Sequence, residues 1–209
     1  MDSILRVLWT VVAQDTPQPL LRCSRCGRER PFRSSGRFRL NAQGRRIDAW
    51  LIYKCMACDD TWNRPLLERR PLAGVAPALL DALQRNDAAL AQSVGFDTAG
   101  LRRHCAAIEV PDDDALHKTV VSHPAGTVHR LEIRLAVPHP TALRLDRLLV
   151  RELGLSRARL QALCADKRLV LAPDSPRALR RAARDGACIV LDLSRESDAA
   201  ALAAAACSA

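Results

Sequence analysis

Along residues 4–13, ILRVLWTVVA, apolar and β-branched side chains dominate a short run that ends in a loop carrying Pro17 and Pro19. This pattern predicts a buried strand. A cysteine-rich stretch follows to about Asn63. Inside it, residues 38–41 and 47–54 read as strands joined by a turn at Gln43-Gly44, which places the second cysteine pair at the end of a hairpin. Over residues 75–108 the period changes to that of a helix, with Leu79, Leu80 and Leu83 on one stripe and Leu101, Cys105 and Ile108 on another. Asn86 or Asp87, and Asp97 or Thr98, are the candidate N-caps.

After the acidic turn Pro111-Asp112-Asp113-Asp114, residues 127–137 alternate. Leu131, Ile133, Leu135 and Val137 share one face, and Arg130, Glu132 and Arg134 the other, as in a half-buried strand. His123-Pro124-Ala125-Gly126 is a turn sequence expected to pair that strand with residues 118–122 as a hairpin. Pro138-His139-Pro140 marks a linker. Beyond it, Leu145, Leu148, Leu149 and Leu153 form the stripe of one helix, and Leu160, Leu163 and Cys164 that of a second. Gly154 closes the first and Ser156 caps the second. Two apolar runs, 169–171 and 188–193, complete a small α/β unit, while the Ala-rich tail from Ser197 is expected to be a frayed helix or disordered and is assigned no role.

These elements predict an α+β chain in parts: a cysteine-bearing domain over 1–74, a helical and hairpin middle over 75–138, a C-terminal unit over 139–196 and a tail over 197–209. With only 3% aromatic residues the core must be built mainly from Leu, Val, Ile and Ala. Neither a secretory leader nor an apolar run of membrane-spanning length is recognisable, so the expectation is a cytoplasmic protein, without membrane association, whose cysteines stay reduced.

That expectation gives the eight cysteines a different meaning from disulfides. Cys23 and Cys26 form one Cys-x-x-Cys pair, Cys55 and Cys58 a second, and 28 residues separate Cys26 from Cys55. Each tight turn delivers two thiolates to one ion, so two turns complete a tetrahedral four-sulfur shell. The expected cofactor is one structural Zn2+ per chain in a zinc ribbon; a redox dithiol and an iron centre are the other readings of such pairs. A full shell leaves no position for a catalytic water. Cys105, Cys164 and Cys188 fall on apolar faces as small core residues, and Cys207 lies in the tail.

Net charge is +9, which favours a polyanionic partner. The excess sits at the ends: residues 1–74 hold 14 Arg and Lys against 7 Asp and Glu, 75–140 hold 6 against 8, and 141–209 hold 12 against 8. On the first C-terminal helix Arg144, Arg147 and Arg151 recur at helical spacing, Arg157 opens the next helix, and Lys167 and Arg168 follow it. Such a cluster suits a phosphate backbone, although arginines on a helix are also simply its solvated face. Trp50, Tyr53 and Trp62 crowd the second cysteine pair, where they either stack exposed bases or cover the metal.

Arg144-Leu145-Asp146, Leu148-Leu149, Ser156-Arg157, Leu160 and Gly186 before Ile189-Val190-Leu191 resemble the S-four-type RNA-binding domain of a small-subunit ribosomal protein, found also in pseudouridine synthases and tyrosyl-tRNA synthetases. The resemblance implies two helices packed on a small sheet, with their basic face on structured RNA. Where that family has a glycine and a Val-Asn-Gly segment, this chain has Lys167-Arg168-Leu169-Val170-Leu171 and then Ala172-Pro173-Asp174-Ser175. Cys23 to Cys26, Phe38-Arg39-Leu40-Asn41-Ala42, Asp48-Ala49-Trp50-Leu51-Ile52-Tyr53-Lys54-Cys55 and Thr61-Trp62-Asn63 give the chain as a whole a further likeness. In them it resembles the bacterial domain-of-unknown-function 1062 family.

The function expected from these features is a noncatalytic, zinc-containing RNA-binding protein acting on rRNA, tRNA or the ribosome. A protein–protein adaptor docking through the zinc ribbon is one alternative. An RNA-modifying enzyme is another: the histidines at 104, 117, 123, 129 and 139 and the run Asp112-Asp113-Asp114 are raw material for it, but they form no recognisable catalytic motif.

Overall fold

The computed structural model describes residues 3–173 and 177–208. Asp174 and Ser175, which depart from the S-four-type pattern, lie outside the described residues, as do Met1, Asp2 and Ala209. In chain order the main elements are β1 (Ile4–Ala13), β2 (Gln18–Arg22), β3 (Glu29–Gln43), β4 (Arg46–Cys55), β5 (Thr61–Pro71), α1 (Pro77–Gln84), α2 (Ala88–Phe96), α3 (Thr98–Leu101), β6 (Ile108–Glu109), β7 (Asp114–Ser122), β8 (Arg130–Ala136), α4 (Leu145–Leu153), α5 (Arg157–Ala165), β9 (Leu169–Ala172), β10 (Cys188–Asp192) and α6 (Ala199–Cys207). No helix among the described residues is long and apolar enough to cross a membrane.

The chain divides into two units, one built from residues 16–110 and the other from residues 1–15 together with 111–209. The boundaries therefore differ from those drawn on composition. The first strand leaves the cysteine-bearing part, the helices after residue 75 join it, and no separate middle region remains.

The physical reason lies in β1. Its burial alternates residue by residue, with Leu5, Val7, Trp9, Val11 and Ala13 inward, and partners on both edges satisfy its backbone N–H and C=O groups. It finds them in β7, antiparallel, and β8, parallel, within a five-stranded sheet of order β7-β1-β8-β10-β9. This corrects the hairpin expected around His123-Pro124-Ala125-Gly126. β7 and β8 do run in opposite directions, but β1 lies between them. The connection over residues 123–129 is long enough to step across the roughly 10 Å that one intervening strand requires. Leu131, Ile133, Leu135 and Val137 face the core as the alternation predicts.

Helices α4 and α5 pack into the same core through Leu145, Leu148, Leu149, Leu153, Leu160 and Leu163. Gly154 takes the left-handed conformation (φ +65°) at the end of α4, and Ser156 Oγ accepts from the Arg159 N–H to cap α5. The tail is also corrected. Residues 199–207 form α6, whose Leu202, Ala203 and Ala206 are buried in the core of this unit.

The second unit is a sheet of order β5-β4-β3-β2-β6. Gln43 pairs with Arg46, so the β3–β4 hairpin closes through a two-residue loop in which Gly44 has φ +60°, as the turn sequence predicts. One face carries Phe32, Phe38, Ala49, Leu51, Tyr53 and Cys55 into a core shared with Leu83, Ala91 and Leu101 of the helices. Asp87 and Asp97 are the residues that cap α2 and α3, accepting from the Leu90 and Gly100 N–H groups.

Candidate metal centre

Two hairpins deliver the four cysteines. The first joins β2 to β3 and the second joins β4 to β5, and each turns through a Cys-x-x-Cys knuckle. The knuckles repeat one hydrogen-bond pattern. Cys23 N–H donates to Arg28 O at 3.0 Å and Gly27 N–H to Cys23 O at 2.9 Å, while Cys55 N–H donates to Asp60 O at 2.8 Å and Asp59 N–H to Cys55 O at 2.9 Å. Gly27 and Asp59 occupy equivalent positions with φ of +69° and +59°. Glycine suits that conformation, and aspartate is among the few other residues that adopt it readily.

The four Sγ atoms lie within 4.8 Å of one another, with Cys23–Cys58 at 3.5 Å and Cys26–Cys55 at 4.0 Å. A tetrahedral ion with sulfur ligands at about 2.3 Å sets its sulfurs about 3.8 Å apart, so this cluster has the right size to hold one metal ion. Among the described residues it is the one group of His, Cys, Asp and Glu side chains close enough to do so.

The thiols differ, Cys23, Cys26 and Cys58 being shifted up and Cys55 down, while side-chain contacts join the two knuckles. Burial pushes the Cys23 thiol up. Burial also opposes ionisation of Cys55, but the backbone N–H groups of Ala57 and Cys58 and the neighbouring thiols outweigh it and bring that thiol down to about 7. Asp60 ties the knuckles together: its Oδ2 accepts from Ser24 Oγ at 2.7 Å and approaches Cys23 Sγ at 3.6 Å. Arg25 Nη1 donates across to Cys58 O at 3.1 Å.

The three aromatics beside the second knuckle separate. Tyr53 is fully buried, with its ring 5.3 Å from that of Trp62, and Trp62 in turn meets the edge of His104 at 5.6 Å. Those two rings build the core behind the cysteines. Trp50 lies on the opposite face, half-exposed.

The family model of DUF1062, a protein of unknown function, matches residues 40–175, which is well over half of the chain. The chain belongs to the DUF1062 family. The matched stretch of this DUF1062 protein includes Cys55 and Cys58 and the whole of α4 and α5, whereas Cys23 and Cys26 precede it. No curated protein and no solved structure matches the chain.

The basic residues of the C-terminal helices are mostly engaged. Arg144 is the N-cap of α4 rather than part of its face, and its guanidinium holds Asp146 at 2.5 and 3.0 Å. Arg147 pairs with Asp112 at 3.2 Å and Arg151 with Glu152 at 2.6 Å. Arg168 is drawn inward to Glu196 at 2.6 Å and the carbonyl of Asp192 at 3.1 Å. Arg157 and Lys167 have no carboxylate partner among the described residues. Arg157 faces a groove of about 460 Å³ that it shares with Gln161, Arg177, Arg180 and Asp146. Sequence reading did not find Arg177 and Arg180, because they are the N-cap and the last residue of a short 3-10 turn (Ala178–Arg180) with no period to reveal a shared face.

The acidic run is used structurally. Asp114 is buried and accepts from Thr141 Oγ1 at 2.6 Å, the Asp113 carbonyl accepts from Gln14 N–H, and Asp112 pairs with Arg147.

Proposed function

We propose that this DUF1062 protein is a noncatalytic RNA-binding protein whose four cysteines form a zinc ribbon around one structural Zn2+. The thiolate donor set and its spacing support zinc, since a shell of four sulfurs around a small tetrahedral cage is its ordinary structural site. The ion replaces a hydrophobic core at the end of the sheet where only short turns and strand ends are available.

The observation that carries the RNA reading is the groove beside α5. Arg157, Arg177 and Arg180 face it with no carboxylate partner among the described residues, and Gln161 adds a neutral donor. Asp146, the acid in the groove, is already held by Arg144. Three guanidiniums around a concave surface, none paired with a carboxylate among the described residues, suit a phosphate backbone better than a neutral or cationic partner. The resemblance to the S-four-type domain points to the same pair of helices and to structured RNA.

The test is a gel-shift and filter-binding comparison of the intact protein with an R157A/R177A/R180A variant on folded RNA recovered with the protein. Three lost phosphate contacts should lower affinity by more than tenfold near physiological salt and reduce the salt slope by about three. Unchanged affinity and slope would reject the groove as the RNA surface.

A further inference from the structure

We propose that the open face of the cysteine-bearing sheet is a second RNA contact, a stacking platform for single-stranded RNA centred on Trp50. This inference rests on the RNA-binding reading above but uses a different surface and a different form of RNA.

The face is defined by register. Phe32, Phe38, Leu51 and Tyr53 point to the core, so their strand neighbours point away from it. Arg33 pairs with Lys54, Arg39 with Trp50, and Trp50 with Pro65 on the other side. Trp50, Ile52 and Lys54 are half-exposed, and Arg33 and Arg39 are exposed. Arg39 lies over the Trp50 ring, with its guanidinium carbon 5.9 Å from the ring centroid. Arg33 and Arg39 have no carboxylate partner among the described residues. Of the acids on this face, Asp48 accepts from the Arg69 N–H at 2.7 Å, and Glu29 stands exposed at the start of β3.

An aromatic ring bordered by cations on a flat sheet is the arrangement that holds an unpaired strand. Bases stack on the ring whatever their identity, and arginine and lysine track the phosphates. Duplex RNA hides its base faces and gains nothing from Trp50. Charge distribution supports the choice of partner. Residues 16–110 hold 16 Arg and Lys against 9 Asp and Glu, whereas the other unit holds 16 against 14, so the positive excess of the chain is concentrated in the unit that carries this face. Even with four thiolates and one zinc ion, the unit remains positive. The knuckles close both hairpins and fix the platform's register.

The experiment uses the full-length, zinc-loaded protein and an unstructured oligouridine of about 12 nucleotides, followed by fluorescence anisotropy. W50A should lose about tenfold or more in affinity, whereas W50F, which keeps a stacking ring, should stay within about threefold. R39A should weaken binding and lower the salt slope by about one. Metal content and far-ultraviolet circular dichroism verify the fold of each variant; should W50A not fold, an R33A/R39A variant decides the question through the salt slope. W50A or R33A/R39A binding as tightly as the unmodified protein would overturn the platform. A single-stranded DNA of the same sequence bound more tightly than the RNA would overturn the assignment to RNA. Loss of oligouridine binding in W50A with folded RNA still bound separates this surface from the groove beside α5. Unchanged oligouridine binding in W50A, with loss of folded RNA in R157A/R177A/R180A, removes the platform and leaves the earlier reading intact. An unmodified protein that binds neither RNA removes both.

Discussion

The indole Nε1 of Trp9 donates to the carbonyl oxygen of Ala206 at 2.9 Å, joining the first strand to the last helix across 197 residues of sequence. Both partners are buried, in the same core as Leu202 and Ala203. The C-terminal helix therefore belongs to the core of its unit.

Two substitutions test this. Leu202→Ala should destabilise the unit by about 2–4 kcal/mol through lost burial and the cavity left behind. Trp9→Phe, which removes the donor and leaves the Ala206 carbonyl without it, should cost about 1–3 kcal/mol. Urea unfolding followed by circular dichroism measures both, and stabilities within about 0.5 kcal/mol of the parent would show that α6 frays from the core.

A second prediction concerns Arg64, which is buried at 3% exposure in the opposite unit. Its guanidinium donates to Val94 O at 2.6 Å, Asp97 O at 3.2 Å and Asp97 Oδ2 at 2.7 Å, fixing the turn between α2 and α3 to the sheet. Gly100 stands against this pair, and a Cβ there would collide with both the Asp97 carboxylate and the Arg64 guanidinium. Gly100→Ala should thus push the half-exposed Asp97 carboxylate away from the buried Arg64 guanidinium, a loss of about 1–3 kcal/mol measured by chemical denaturation. Asp97→Asn, which keeps the shape and the capping oxygen, should cost less. Equal stability of Gly100→Ala and the parent would show that the pair shifts without penalty.

What was legible in the sequence follows the local character of the signal. The strand at 4–13, the hairpin closed by Gly44, the caps at Asp87, Asp97 and Ser156 and the leucine stripes of α4 and α5 are set by residues close in sequence, and the structure shows each of them. The four-cysteine cluster was equally readable, since two knuckles of fixed spacing have one economical way to meet. Partner choice was not. β1 carries no mark saying that it inserts between β7 and β8, and an Ala-rich stretch has too weak a pattern to reveal that Ala206 will lie under Trp9. The helical spacing of the arginines likewise carried nothing about their ion pairs: Arg147 and Asp112 are 35 positions apart, so their pairing is invisible to it.

The acid sensitivity of the larger unit should depend on Glu152, which is paired with Lys118. Lys118 is 4% exposed, with Nζ 2.8 Å from Glu152 Oε2, 2.9 Å from Ala205 O and 5.2 Å from the centre of the Trp9 ring. Burial acts to raise the Glu152 pKa, but the hydrogen bonds from Lys118 and Arg151 prevail and hold it below the ordinary glutamate value. The stabilisation this gives is fully present above the unfolded pKa of about 4.3 and is lost as pH falls through the lower folded value. Asp192 and Asp198, held down by Ser194 and Arg159, lose stabilisation in the same way below about pH 4. Asp114, raised by burial, acts in the opposite sense, because protonation relieves its cost. Glu152→Gln should cost about 3 kcal/mol at neutral pH by leaving Lys118 buried without its counter-charge, and should flatten the stability curve below about pH 4.5. Urea midpoints across the acid range measure this. A variant curve parallel to that of the parent would remove Glu152 as the responsible group.

Metal removal gives the sharpest test of the cysteine cluster. Its four sulfurs are brought together by strand ends and tight turns, and close thiolates repel one another once the cation is withdrawn, so the knuckles and the β2–β3 and β4–β5 pairings next to them should loosen. The core around Leu51, Tyr53 and Leu83 lies further along the sheet and should persist longer. A strong chelator should release one zinc ion per chain and expose the backbone amides of residues 22–29 and 54–61 to hydrogen exchange, while the amides of β1 and β8 remain protected. Cys55→Ser should reproduce the loss. Gly27→Ala should show the milder effect of strain alone: its Cβ meets nothing within 4 Å, so only the φ of +69° is unfavourable, at about 1–2 kcal/mol. Protection of the two knuckles that is unchanged after chelation, or a purified chain that never takes up metal, would show that the four cysteines close on one another without an ion.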